Sequence, residues 1–346
     1  MRFKKNLEHV LAGHDLNHGD MLSLMQQVMN GDLTPVQIAG LVIALRQKGE
    51  SVDEITAAAS VMRALSTKVE IKDASHLIDT CGTGGDGIQT FNVSTVSALV
   101  AAAAGAKVAK HGGRSVSSTC GSADVLEALG VNVNLTPQQV VNCVAEIGIG
   151  FMFAPNHHSA MKYAAPVRRE LGVRTIFNLL GPLTNPASAK RQVMGVFSQD
   201  LTLKLAKVLQ NLGSEHVMVV HGADGMDEIS FTGDTYVAEL KHGKLHEYNL
   251  NPAQFGLAVH SLKSIRVENV EESKVMILDV LNGKMGAGTQ RAARDIVLLN
   301  AGAAIYVAGL QTSMIEAVKH AALVIDNGQA MTKLAKLIAL TQQEIA

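Results

Sequence analysis

Residues 79–87, Asp-Thr-Cys-Gly-Thr-Gly-Gly-Asp-Gly, constrain this chain more than any other stretch. The apolar run His76-Leu-Ile leads into them, and four glycines (Gly82, Gly84, Gly85, Gly87) fall within six residues. Asn92-Val-Ser-Thr95 then opens a long alanine-rich apolar stretch. The order reads as strand, glycine-rich loop and capped helix. Glycines let the backbone turn sharply and bring bare N–H groups against a ligand. A helix N-terminus behind such a loop favours phosphate. The segment therefore reads as the grip on a phosphorylated substrate.

The two flanks of this unit differ. The first seventy or so residues read as wholly helical. Leu22, Met25, Val28 and Met29 recur at helical spacing, as do Ile38, Leu41, Val42 and Leu45. Thr34-Pro35 reads as an N-cap followed by proline at the first helical position. Ser51 with Glu54 three residues on reads as a capping box. From residue 76 short β-rich runs (77–80, 107–109, 131–134, 151–153, 193–197, 217–221) alternate with helical ones (92–104, 137–147, 201–212). Residues 235–240 and 245–250, joined by Lys-His-Gly-Lys, read as a hairpin, and helices return after Asn269. This pattern predicts an α/β fold, a small all-helical domain followed by a larger domain with a mostly parallel central sheet. The length of 346 residues, more than one core usually holds, agrees with two domains.

Hydrophobic residues make up 47% and charged residues 18%, as in a well-buried globular chain. Thirty basic and 31 acidic residues leave a formal charge of −1, so no general basic field exists for nucleic acid or an anionic membrane. The cysteines, Cys81, Cys120 and Cys143, lack metal-ligand spacing and read as reduced thiols of a cytoplasmic protein. The N-terminus lacks an apolar signal core, and the longest apolar run, residues 96–106, is too short to span a bilayer.

Three further segments carry chemistry. Lys110-His-Gly-Gly-Arg-Ser-Val-Ser-Ser118 follows the second strand and offers two cations, a histidine and hydroxyls around two glycines. Lysine gives a phosphate a point charge and arginine a fork. Asp224-Gly-Met-Asp227-Glu228 follows the strand at 217–221; adjacent carboxylates suit Mg²⁺, which takes oxygen ligands and bridges to phosphates. Asn156-His-His-Ser-Ala-Met-Lys-Tyr-Ala-Ala-Pro-Val-Arg168-Arg169 contains an arginine able to fork onto a carboxylate, although a helix with a polar face is the plainer reading. His157 and His158 alone are weak evidence for zinc. Gly82-x-Gly84-x-x-Gly87 also matches the dinucleotide fingerprint, but residues 100–110 carry only Lys107 and Lys110 where that site needs an acid.

In this order, Gly82-Thr-Gly-Gly-Asp86, Asn92-Val-Ser-Thr95, Lys110-His-Gly with Arg114-Ser-Val-Ser-Ser118, and Asp227-Glu228 resemble the anthranilate phosphoribosyltransferases of tryptophan biosynthesis, over essentially the whole chain. The resemblance implies a helical domain at residues 1–72, joined by helices from about 165–187, hinged to an α/β domain at 73–346 and assembled as a homodimer. It implies transfer of a phosphoribosyl group from phosphoribosyl pyrophosphate (PRPP) to the amine of anthranilate, with Mg²⁺. It assigns PRPP to Gly82, Gly85, Asp86, Thr90, Asn92, Val93, Ser94, Thr95, Lys110, Arg114, Ser117, Ser118 and Ser122. Mg²⁺ falls to Ser94, Asp227 and Glu228, anthranilate to Gly82, Gly113 and Arg168, and catalytic positions to Lys110, His111 and Arg168. One position departs: Gly113 stands where the family pattern carries asparagine. Losing one hydrogen bond to a bound substrate costs on the order of 1 kcal/mol. Two other readings share parts of the pattern, a pyrimidine nucleoside phosphorylase of the same architecture and a non-catalytic relative that binds nucleic acid.

Overall fold

The structure is a computed structural model and describes residues 2–114 and 120–343. Four helices come first: α1 (Arg2–Leu11), α2 (His18–Asn30), α3 (Pro35–Lys48) and α4 (Val52–Leu65). Their starts follow from local chemistry. Thr34 and Gln37, and Ser51 and Glu54, form reciprocal capping boxes that satisfy orphan N–H groups of α3 and α4. Lys48 Nζ lies 2.9 Å from Glu54 Oε2, and Glu54 also accepts from Leu16 N at 2.9 Å. A buried carboxylate thus ties α3 and α4 to the loop between α1 and α2.

The remainder runs β1 (Leu77–Gly82), α5 (Val93–Ala103), β2 (Lys107–Gly112), α6 (Ser122–Ala128), α7 (Pro137–Ile147), β3 (Ile149–Phe153), α8 (Ala154–His157), α9 (Ala165–Leu171), α10 (Ile176–Leu180), β4 (Arg191–Gly195), α11 (Leu201–Asn211), β5 (His216–Gly222), β6 (Thr235–Lys241), β7 (Lys244–Leu250), then α12 (Val270–Leu281), α13 (Thr289–Val307), α14 (Met314–Asp326) and α15 (Gln329–Gln343). Among the described residues the strands form one sheet, ordered β3-β2-β1-β4-β5-β6-β7. The first five strands in this order are parallel, and β6 and β7 form an antiparallel hairpin on the edge. The expected architecture is the one observed: an N-terminal helical bundle and a larger α/β part with a mostly parallel sheet.

β5 explains why its sequence is continuously apolar. Val217 and Val219 pack into the core shared with α4 and α11, while Met218 and Val220 pack into the opposite core with α5 and α13. A parallel strand covered on both faces has no polar side to show. Arg63 of α4 donates to the carbonyls of Leu183 (2.6 Å) and Leu212 (3.2 Å), which joins the helical part to the sheet part.

One expected strand does not form. Residues 131–134 alternate as a strand would, with Val131 and Val133 buried, but they have no strand partner. Asn132 N donates to Thr341 Oγ1 of α15 at 3.2 Å, and Asn134 N turns back onto Asn132 Oδ1 at 3.0 Å. Here the alternation records docking against a helix instead of a sheet edge. Among the described residues no helix is long and apolar enough to cross a membrane.

The strand order fixes where a ligand can bind. The chain leaves β1 for β2 and β3 on one side, then returns to β4 on the other. Such a reversal opens a crevice beyond the carboxyl ends of the strands flanking it.

Candidate active site

A cleft of about 370 Å³ lies at that crevice. The loop after β1, the start of α5, the end of β2 and the acidic loop after β5 form its wall. Gly84 and Gly85 take φ of +64° and +76°, values that favour glycine, and the loop folds back so that Gly84 N donates to Asp227 Oδ2 at 2.8 Å. Asn92 is the N-cap of α5 but makes no side-chain capping bond. Its Oδ1 instead accepts from Ser273 Oγ at 2.7 Å, and its Nδ2 donates to Cys120 O at 3.1 Å. The expected cap is therefore absent. Ser94 N donates to Glu228 Oε1 at 3.1 Å, so the helix N-terminus meets an acid directly.

Lys110 is 3% exposed, and its ammonium donates to Thr80 O at 2.5 Å and Ser94 Oγ at 3.3 Å. Burial lowers its pKa, and the nearby carboxylate of Asp79 opposes that shift. Asp79 in turn accepts from His111 N at 3.1 Å, which fixes the strand position of His111. Burial raises Asp227 and Glu228 above the usual carboxylate range, and Asp227 adds repulsion to Glu228. Asp86 is raised as well, first by burial and then by Asp227. Adjacent, partly buried carboxylates of this kind suit a cation.

The donors fit Mg²⁺. Two carboxylates, Asp227 and Glu228, and the Ser94 hydroxyl offer hard oxygens at one wall of the cleft. Among the described residues no group of three or more His, Cys, Asp or Glu side chains forms a cage. An ion that keeps water and substrate phosphate ligands suits such a partial site. Asp224 faces its own loop, accepting from Ser230 Oγ at 2.7 Å and Thr232 Oγ1 at 2.6 Å.

The structure brings most of the expected residues together. Gly82, Gly85, Asp86, Thr90, Asn92, Val93, Ser94, Lys110, His111, Gly113, Arg114, Ser122, Arg168, Asp227 and Glu228 all line the one cleft. Thr95 does not: it is buried in α5 and its Oγ1 has no hydrogen-bond partner among the described residues. Ser117 and Ser118 lie outside the described residues. Arg114 lines the cleft, but its fork is taken by Glu127 (2.6 and 2.9 Å) and Asp124 (2.7 Å) of α6. Those two acids sit three residues apart on one helix face, beside the arginine.

The segment expected as one helix with a polar face is broken into α8, a 3₁₀ turn and α9. It carries Arg168 to the cleft over the ring of Phe177, 5.6 Å from its centroid. His157 and His158 point to different partners. His157 Nδ1 meets Thr67 O at 3.0 Å, whereas His158 Nε2 meets His111 Nε2 at 3.2 Å. Burial is the chief cause that lowers both rings of this second pair, His111 well below its ordinary value and His158 to about 4. Both rings are then neutral at pH 7.

Two contributors escaped the sequence reading. Arg174 donates to Gly85 O at 3.3 Å and stacks over Phe197 at 4.2 Å, tying the glycine loop to the segment after α9. Gly195, inside a strand, is the other, and a strand glycine was the available signal for a close backbone approach.

This combination of a helical bundle, a mostly parallel sheet and a glycine-rich cleft with an acidic pair is that of a glycosyl-transfer enzyme. Residues 74–331 match the glycosyl transferase family a/b domain, and residues 4–66 match its helical bundle domain. An anthranilate phosphoribosyltransferase of Methylobacillus flagellatus is 64% identical over 339 residues, covering 98% of each chain. One from Laribacter hongkongensis is 57% identical over 337 residues, covering 97% of each. The crystal structure of the Thermus thermophilus enzyme of that name superposes with a TM-score of 0.90 at 41% identity, covering 97% of this chain and 99% of that one. The Saccharomyces cerevisiae enzyme in complex with PRPP and Mg gives 0.84 at 28% identity, with 94% and 92% covered. The chain belongs to the anthranilate phosphoribosyltransferase family. The phosphorylase and nucleic-acid readings give way to this match over nearly the full length.

Proposed function

We propose that the chain transfers the 5-phosphoribosyl group of PRPP to the amine of anthranilate, giving N-(5-phosphoribosyl)anthranilate and pyrophosphate. The observation that carries this reading is the convergence of Lys110, the N-terminus of α5 and the Asp227–Glu228 pair on one cleft, in a chain of this family. The ribose C1–O bond to pyrophosphate breaks and the C1–N bond forms. The aryl ammonium so produced is a strong acid, and its proton passes to the pyrophosphate or to water. No covalent nucleophile is needed, so the work of the protein is positioning and charge stabilisation.

Lys110 and the N–H groups of the glycine loop would face the developing pyrophosphate charge. Asp227, Glu228 and Ser94 would hold Mg²⁺, which when bound offsets that charge. Arg168 would pair with the anthranilate carboxylate, and His111, paired with His158, would orient the acceptor. The test is anthranilate consumption, followed by its fluorescence, with PRPP and Mg²⁺. Turnover that requires both supports the reading, and no turnover by the folded protein overturns it.

We further infer a division at residues 72–73, supported by the family matches on either side. A homodimer, which the resemblance to this family implies, is part of the same reading. Sedimentation velocity checks it: a monomer at micromolar concentration removes it. A cytoplasmic setting is supported by three free cysteines.

A further inference from the structure

Asn300 is a polar residue in the middle of α13, a helix buried along most of its length, and it is 3% exposed. Its neighbours along the helix, Ile296, Val297, Leu299 and Ala301, are fully buried and apolar. An amide in such surroundings is costly unless each group is bonded. Asn300 is bonded on both sides. Its Oδ1 accepts from Ile229 N at 2.9 Å, and its Nδ2 donates to Ile229 O at 2.9 Å and to Ile296 O at 2.9 Å. Only this orientation of the amide satisfies both backbone groups of Ile229.

Ile229 immediately follows Asp227 and Glu228. The Ile229 N–H belongs to the peptide that joins it to Glu228, so the grip fixes the orientation of that peptide plane. On the other side, the backbone of Asp227 rests against Gly195 of β4. The acidic pair is thus held between β4 and α13.

We propose that Asn300 is a positioning residue for the metal-binding pair, acting through the backbone of Ile229. The role rests on the reading of Asp227 and Glu228 as Mg²⁺ ligands. Asn300 touches neither substrate nor metal. By fixing the Glu228–Ile229 peptide, it holds the two carboxylates in place on the wall of the cleft. An apolar residue at position 300 would fill the same space but leave the acidic loop without a fixed register.

The test compares Asn300→Asp and Asn300→Ser with Leu299→Ala, a substitution of a buried apolar residue on the same helix. Mn²⁺ binding in the presence of pyrophosphate is read by electron paramagnetic resonance, and KM for PRPP and for anthranilate are measured separately. Both Asn300 variants are expected to weaken Mn²⁺ binding tenfold or more and to raise KM for PRPP, with KM for anthranilate nearly unchanged. Leu299→Ala is expected to lower thermal stability while leaving Mn²⁺ binding within twofold. Unaltered Mn²⁺ binding in a folded Asn300 variant would overturn the proposal, as would an equal loss in Leu299→Ala. Failure of the unaltered protein to bind Mn²⁺ would instead sink the metal-site reading beneath it.

Discussion

The backbone carbonyl of Asp227 occupies the space where a Cβ on Gly195 would stand, and the Asp227 carboxylate crowds the corresponding point on Gly82. Gly82 and Gly195 are opposite one another in the β1–β4 register. A pair of glycines on neighbouring parallel strands therefore makes the seat for the acidic loop. Gly195→Ala would drive a methyl group into backbone that cannot yield. The expected outcome is a loss at the upper end of what overpacking costs, about 3 kcal/mol or more. Chemical denaturation measures it, and a variant as stable as the parent would refute the seat.

Gly113 has the opposite character. Among the described residues a Cβ there meets only Ala154 Cβ, at 3.9 Å. Gly113→Asn, which introduces the asparagine that the resemblance leads one to expect, should leave thermal stability unchanged. If its amide reaches the acceptor, the gain of about 1 kcal/mol corresponds to about a fivefold lower KM for anthranilate. Steady-state kinetics at saturating PRPP tests this, and an unchanged KM would exclude position 113 from the acceptor site.

Asp227 and Glu228 have pKa values raised by burial, so protons and metal compete for them. The half-saturating Mg²⁺ concentration should fall as pH rises from acid to neutral, because binding must displace protons. Asp227→Asn and Glu228→Gln should each raise that concentration and lower the rate. Mg²⁺ titrations of activity at several pH values give the answer, and curves identical to the parent would remove these residues as ligands.

His158 is held neutral in the folded chain, with its pKa lowered to about 4, chiefly by burial. When unfolded it takes up a proton near its ordinary pKa of about 6.5. Its contribution to stability is therefore full above that pH and is lost on the way down toward 4. The raised carboxylates Asp79 and Glu228 act in the opposite sense, since folding favours their protonated forms. The difference between the parent and His158→Gln isolates the histidine. Parent stability should drop relative to the variant by up to ~1.4 kcal/mol per pH unit over that window. Urea denaturation across the range measures it, and parallel curves would contradict it.

Glu54 supports the helical part. Its side chain is 0% exposed and that of Lys48 is 5% exposed. Glu54→Ala leaves Lys48, Leu16 N and Ser51 N without their shared acceptor. Removing one member of a buried ion pair costs about 3–5 kcal/mol. Thermal unfolding should show the loss in Glu54→Ala and a smaller one in Lys48→Met, and equal stability of all three chains would contradict it.

Elements whose causes are local could be read from the chain alone. Thr34 with Gln37 and Ser51 with Glu54 start helices because a cap and its partner lie three residues apart. The apolar run of β5 and the glycines after β1 likewise carry their reasons within a few residues. Most of the cleft was legible for the same cause, since its residues come in short contiguous motifs at strand ends. The remaining features depended on how distant segments pack. Residues 131–134 have the alternation of a strand, yet the surface they meet is helix α15, more than two hundred residues away. Arg114 has the chemistry of a phosphate fork, yet Asp124 and Glu127 of the folded chain take it up. Asn300 and Gly195 look ordinary in isolation and matter through Ile229 and Asp227. A hydrogen bond or a steric contact depends on which atoms the fold brings within a few ångströms, and residue identity alone does not fix that distance.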